Sequence, residues 1–366
     1  MPLAPNRRRC LSLALMSVPA VLAACAGVPH PAPYAAPDAG IVDAQIGPDY
    51  SGVVLLRPNR TAQPIVKALG QAQFEPGAPM TADTRFMVGS VSKWITAVTV
   101  LLLVEQGKLD LDKPVTTWLP ELPASSRAVT LRHLLSNTSG IERGLTDALK
   151  RDPKVGELTI SPAEAALRFG AGPLMFAPGT RFDYSSTNWV LVAGIVERAT
   201  GEPFVRTVTR LVFEPAGVRD TGFADAATPT LPRMAIGYNG DRKARKMVPS
   251  PPLAAAAGTV YSTAADLVRI ADLVYGDRLL GAASRRELLT VQHAPEEYAL
   301  GGRVKQVGTG SAVRTLAWES GVSGGYKTLL AYAPENGRAV VLLNNTDMAQ
   351  SEQARIGLAL LEAMQN

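Results

Sequence analysis

Gly89-Ser90-Val91-Ser92-Lys93-Trp94-Ile95-Thr96-Ala97-Val98-Thr99-Val100-Leu101-Leu102-Leu103-Val104-Glu105 sets a serine and a lysine three residues apart at the head of a long apolar run. Three residues make almost one helical turn, so both side chains leave on one face and the lysine reaches the serine hydroxyl. From Trp94 to Leu103 almost no polar face remains, which predicts a central buried helix over 90–105, closed by Gly107 at a C′ position. A serine and its base fit this position. So does a solvated first turn with no chemistry, and the surrounding sequence has to decide between them.

The chain of 366 residues is 46% hydrophobic and 19% charged, enough to bury one large core or two interleaved subdomains. Residues 1–25 read as an export signal: Arg7, Arg8 and Arg9 precede an apolar stretch too short to span a bilayer. Leu22-Ala23-Ala24-Cys25 looks like the lipobox of bacterial lipoproteins, so residues 1–24 are expected to be removed and Cys25 lipidated. The expected location is the periplasmic face of a bacterial membrane, as an outer-membrane lipoprotein. Residues 25–48, with Pro29, Pro31, Pro33 and Pro37, read as an extended Ala/Pro-rich tether, and 49–366 as the folded domain.

Loss of the three arginines lowers the formal net charge from +5 to +2, which leaves no basis for a nucleic-acid partner. Of the two cysteines, Cys10 goes with the signal and Cys25 carries the lipid. None is then left for a disulfide, a zinc site or a thiol nucleophile. No His/Cys/Asp cluster has metal-ligand spacing, so neither a metal nor an organic cofactor is called for.

Residues 51–57 and 65–71 are β-prone runs either side of Pro58-Asn59-Arg60, which predicts a hairpin by turn chemistry. The middle third is mostly helical, with capping-box starts at Ser161-Pro162-Ala163-Glu164 and Thr263-Ala264-Ala265-Asp266. Towards the C-terminus the period becomes two: Trp318, residues 326–332 and residues 338–344 read as strands, with Pro334-Glu335-Asn336-Gly337 as a turn and a last amphipathic helix over 349–364. The fold class is α/β of the α+β type: an antiparallel sheet from N- and C-terminal strands flanked by helices, with a mostly helical inserted subdomain.

Only His30, His133 and His293 are available to a Ser-His-Asp triad. His30 lies in the tether, His133 in a short amphipathic helix where a packed or capping role fits, and His293 in a polar stretch with nothing in sequence to orient it. Scarce histidine favours a lysine or tyrosine base. Gly321-Val322-Ser323-Gly324-Gly325 offers Ser323 as a rival nucleophile on a G-x-S-x-G elbow. That elbow requires a helix after the serine, and 326–332 read as a strand.

Several blocks, in one order, carry a resemblance: 79–86 leading into Gly89-Ser90-Val91-Ser92-Lys93, then 109–115, 131–140, 178–185, 214–218, 257–258 before 262–267, and 321–326. The chain resembles the serine β-lactamase and penicillin-binding-protein family, in its class C β-lactamase, D-alanyl-D-alanine carboxypeptidase and esterase branch. The resemblance runs from about residue 48 to 361. It implies Ser90 as nucleophile, Lys93 as base, Tyr184 as partner in the proton shuttle, and an oxyanion hole from the backbone N–H groups of Ser90 and Val322. Independent chemistry agrees: the helix dipole favours negative charge developing at Ser90, and an apolar surround disfavours a lysine ammonium.

Two departures bear on the substrate. Where many relatives have Tyr-x-Asn, this chain has Tyr184-Ser185-Ser186, so Ser186 offers one short hydroxyl, or simply caps a helix. Where relatives have Lys-Thr-Gly or His-x-Gly, it has Glu319-Ser320-Gly321. A carboxylate there repels a substrate carboxylate by roughly a few kcal/mol at an effective dielectric of about 20. Glu319, Ser320 and Gly321 remain expected substrate-binding positions, with Glu319 accepting a hydrogen bond, binding an ammonium, pairing with Lys93 or Lys327, or pointing to solvent. The expected activity is an esterase or amidase acting on a small molecule or peptide. The alternatives are a weak β-lactamase or D-alanyl peptidase, and a non-catalytic cell-wall binding protein.

Overall fold

Both ends of the chain contribute strands to one six-stranded antiparallel sheet in the computed structural model, which describes residues 40–248, 250–308 and 313–364. The first hairpin pairs β1 (Gly52–Arg57) with β2 (Ile65–Leu69). Short strands β3 (Gln71–Gln73), β4 (Ala78–Pro79), β5 (Phe86–Met87), β6 (Gly222–Phe223) and β7 (Val260–Ser262) make two small sheets. Then β8 (Arg303–Val307), β9 (Arg314–Ser323), β10 (Tyr326–Tyr332) and β11 (Ala339–Asn344) complete the large sheet in the order β2-β1-β11-β10-β9-β8. Every residue of β1, β10 and β11 is buried, as expected of strands covered on both faces rather than half-exposed ones.

One helix precedes the sheet, α1 (Gly40–Gln45). Between the two groups of strands run α2 (Val91–Glu105), α3 (Leu131–Leu135), α4 (Gly144–Arg151), α5 (Pro162–Gly170), α6 (Ser186–Thr200), α7 (Phe204–Val208), α8 (Glu214–Ala216), α9 (Ala255–Gly258), α10 (Ala264–Tyr275) and α11 (Ala282–Leu289). A final helix, α12 (Gln350–Ala363), follows β11. The mixed architecture is the one expected from the sequence. Strand alternation divides the core in two: Val53, Leu55, Ala317, Val341 and Leu343 pack against the inserted helices, while Val54, Leu56, Trp318, Val340 and Leu342 pack against α1 and α12. In α2, Val91 through Leu103 are all buried, so this helix is held by the core around it rather than by amphipathic packing.

Three local expectations need correction. The segment read as tether is helical from Gly40 to Gln45, and Val42 is buried with Ile41 and Ile46 packed beside it against α12. Three apolar residues in a polar-poor stretch gain more from covering the sheet than from extension. At Ser161 and Thr263 the N-cap oxygens do accept the Glu164 and Asp266 amides, but the Asp266 carboxylate turns to the Asp220 amide and the Thr221 hydroxyl at 3.0 and 2.9 Å. The full reciprocal box forms instead at Thr130 and His133. β8 was not foreseen, because Arg303-Val304-Lys305-Gln306-Val307 is too polar to read as a strand until β9 pairs with it. Cys10, Cys25 and His30 lie outside the described residues.

At the end of β1, Arg57 is 5% exposed and donates to both Asp272 carboxylate oxygens at 2.7 and 2.6 Å and to the Gly337 carbonyl at 2.8 and 3.1 Å. Asp272 on α10 also accepts from the Tyr332 hydroxyl at 2.8 Å. The pair joins the β10 to β11 turn to the helical part. Arg57→Ala leaves a half-buried carboxylate without its bidentate partner and is expected to cost about 3 kcal/mol, read as a lower urea midpoint at unchanged m. A double change of Arg57→Met with Asp272→Leu should lose less, since no charge is then left unpaired.

Candidate active site

The turn from β5 into α2 positions Ser90. Gly89 has φ +53°, and a Cβ there would lie 2.6 Å from the Val322 carbonyl oxygen, so both conformation and space demand glycine. Ser92 fixes the same turn: its hydroxyl donates to the Gly89 carbonyl at 2.7 Å and accepts the Val260 amide at 3.1 Å. The second serine of the tetrad is therefore structural. Ser90 is the N-cap of a helix of 15 residues, where the helix dipole presents positive potential to its hydroxyl.

Lys93 is 3% exposed, and its Nζ lies 3.3 Å from Ser90 Oγ. It also donates to the Ala257 carbonyl of α9 at 2.5 Å and sits 5.0 and 5.6 Å from the ring centroids of Tyr184 and Trp189. The amine is held by one carbonyl and two aromatic faces, with no carboxylate in contact among the described residues. Tyr184 is 39% exposed and donates from its hydroxyl to Ser90 Oγ at 2.7 Å. The three side chains singled out from the sequence thus meet at one hydroxyl.

Tyr184 is aimed by a residue that sequence reasoning did not assign. Asn137, buried and with φ +56°, accepts at Oδ1 from the Ser185 amide, the Asn188 side chain and the Trp189 indole, each at 3.3 Å. Its carbonyl accepts the Asp183 amide at 2.8 Å. Asparagine tolerates the left-handed conformation where most residues do not, and its place after α3 was the available signal. Ser185, not Ser186, caps α6, accepting the Thr187 amide at 3.3 Å. Ser186 is the first helical residue and half-buried.

β9 forms the opposite wall. β8 pairs with it only as far as Arg303 opposite Trp318, so from Glu319 to Ser323 that edge of β9 is free of β8. A Cβ on Gly321 would lie 1.9 Å from the Val88 carbonyl oxygen and 3.1 Å from Ser90 N, so the strand touches the Ser90 turn along its backbone. The Val322 amide comes equally close to Gly89, 2.7 Å from the position of a Cβ there, while the Val322 side chain is 44% exposed. The two amides expected to form an oxyanion hole thus belong to the two backbone segments that touch here.

Glu319 is 4% exposed, which excludes the reading that it points to solvent. Neither lysine considered for it is its partner: Lys327 binds Asp347 at 2.5 Å, and Lys93 is engaged as above. Burial pushes its carboxyl up to about 8, opposed in part by the charge of Arg303. The loop before β8 closes on it so tightly that a Cβ on Gly302 would lie 1.9 Å from Glu319 Oε2. Ser320, next on the strand, lines the same small space beside Ser90.

The rival constellations are not at this centre. Ser323 is followed by β10, so the strand-to-helix elbow is absent. His133 completes the cap of α3, its Nδ1 accepting the Thr130 amide at 3.2 Å, and burial holds its imidazole below the usual range. His293 stacks on Phe182 at 5.4 Å, so it is oriented by packing where sequence offered nothing.

Gly321→Ala is expected to destabilise the protein by about 1–3 kcal/mol through overlap with Val88, measured as a drop in melting temperature. Gly47→Ala, where a Cβ meets nothing within 4 Å, should stay within about 0.5 kcal/mol.

Residues 51–364 match the family model described as Beta-lactamase. Esterase EstB of Burkholderia gladioli is 40% identical over 185 residues, 47% of this chain and 46% of its own. The putative penicillin-binding protein PbpX of Bacillus subtilis is 27% identical over 265 residues, covering 72% of this chain and 62% of its own. Each match spans less than two thirds of the relative. Among solved structures, a penicillin binding protein from Bacillus halodurans superposes with a TM-score of 0.73 at 27% identity, over 87% of this chain and 97% of that one.

Proposed function

Because the chain belongs to the beta-lactamase family of serine hydrolases, we propose that it is an exported, lipid-anchored enzyme that forms an acyl-enzyme on Ser90 from esters or amides lacking an essential carboxylate. The observation that carries the reading is the Ser90 hydroxyl, 2.7 Å from Tyr184 OH and 3.3 Å from Lys93 Nζ, which contacts no carboxylate among the described residues. Ser90 Oγ attacks the acyl carbon as Lys93 or Tyr184 takes its proton, and the oxyanion is met by the Ser90 and Val322 amides. The bond to the leaving group then breaks, and Tyr184, which is exposed enough to reach it, returns the proton to the leaving oxygen or nitrogen.

Glu319 argues for neutral substrates, since a buried carboxyl in place of a lysine gives a substrate carboxylate nothing to pair with. A cavity of about 620 Å³ opens beside Ser323, one residue beyond Val322, with Met87, Ala224, Met247, Pro251 and Tyr326 on its walls. Its apolar lining suits an aliphatic or aromatic acyl group. The second reading, a weak β-lactamase or D-alanyl peptidase, draws on Arg303, which lines the small space beside Ser90 and offers a cation elsewhere. A non-catalytic cell-wall binding protein is disfavoured by the preserved contacts among Ser90, Lys93 and Tyr184.

Export and lipidation rest on Arg7 to Cys25 in the sequence. The test of function is hydrolysis of a short-chain p-nitrophenyl ester alongside nitrocefin. Ester turnover is expected to fall at least about 1,000-fold in Ser90→Ala. Nitrocefin should be a far poorer substrate, and a nitrocefin kcat/KM matching the ester's would favour the second reading.

A further inference from the structure

Beside Ser90 lies a second, much smaller cavity of about 10 Å³, bordered by Ser90, Tyr184, Tyr298, Arg303, Glu319 and Ser320. That is close to the volume one water molecule needs, and the lining is polar enough to hold it. Among the described residues the Glu319 carboxyl has no hydrogen-bond partner, and its oxygens are not among the fully buried polar atoms left without one, so they keep an opening to this cavity. A largely buried carboxyl that opens only onto so small a polar space takes its hydrogen bonding from what occupies that space. Its direction is fixed: Gly302 packs against Oε2, and alternation along β9 puts Glu319 on the same face as Gly321, the residue in contact with the Ser90 turn.

We propose that Glu319 is the general base of deacylation, holding in this cavity the water that hydrolyses the acyl-Ser90 ester. The proposal rests on the acyl-enzyme reading above and adds to it the second half-reaction. The water oxygen attacks the acyl carbon and one of its protons passes to the Glu319 carboxylate. The C–Oγ bond then breaks, its electron pair leaves on Ser90 Oγ, and Oγ takes a proton from Tyr184. Glu319 gives its proton to the Tyr184 oxygen, so the net change is one water consumed, one carboxylic acid released and Ser90 restored.

Arg303 from β8, Tyr298 from the loop before it and Tyr184 border the same small cavity as Glu319, and Tyr275 from α10 feels its charge. Burial dominates over the Arg303 charge, so the basic form of Glu319 grows in as pH rises through about 8.

The experiment is stopped-flow hydrolysis of p-nitrophenyl acetate by wild type, Glu319→Gln, Glu319→Asp and Ser90→Ala, with intact-protein mass spectrometry of the quenched reactions. Glu319→Gln is expected to release one equivalent of p-nitrophenol, to accumulate acetyl-Ser90, and to turn over at least about 100-fold more slowly thereafter. The rise of turnover towards pH 8 should vanish with it, hydroxylamine should restore release, and Glu319→Asp should lie between. The one-equivalent burst itself reports a correctly folded site. Turnover of Glu319→Gln within twofold of wild type, or acylation slowed as much as deacylation, overturns the proposal. Retained hydrolysis in Ser90→Ala instead overturns the acyl-enzyme reading on which it stands.

Discussion

The chemistry of this protein depends on how closely a strand backbone approaches a helix start. β9 meets the first turn of α2 through Gly321 against Val88 and Gly89 against Val322, contacts short enough that a single methyl group at either glycine would overlap backbone. Side chains cannot mediate such an approach, because anything larger than hydrogen would hold the Val322 amide away from Ser90. Close packing transmits the constraint outward: α2 is buried through 13 successive residues, and β10 pairs with β9 along the whole segment from Ala317 to Ser323. The helix and the sheet cannot move apart without opening the core.

Around that contact, charge is distributed unevenly. Lys93 is met by the Ala257 carbonyl and two aromatic faces, partners that accept a proton's charge without supplying an opposite one. Glu319 shares its small cavity with Tyr298, Gly301, Gly302 and Arg303 and forms no salt bridge among the described residues. Both groups are buried, and neither is locked in a salt bridge of the kind that ties Arg57 to Asp272.

Much of the site was legible because its parts are local in sequence. Ser90 and Lys93 share one helical turn, Tyr184 precedes a capped helix, and the closing hairpin has its turn residues at Asn336 and Gly337. What was not legible depends on distant segments. The burial of Glu319 follows from Gly302 folding over it, and the fixing of Tyr184 follows from Asn137 47 positions earlier in the chain, which shows only the general tolerance of asparagine for positive φ. α1 and β8 were missed for the same reason: each acquires its structure from a partner, α12 or β9, and has little preference of its own. His293 looked unsupported because its support is the ring of Phe182, more than 100 positions away.

The register of the sheet has a further consequence, for the order in which the molecule can form. Gly52 pairs with Asn344, so the strand nearest the start of the domain has an unfilled edge until nearly the whole chain exists. Closing so long a loop is entropically slow, and the helical part between these strands has its inner sheet wall only once β11 and β10 arrive. A growing chain therefore stays open while it is made. Late closure means that the Ser90 turn, which β9 completes, takes its final form only when the last strands are in place.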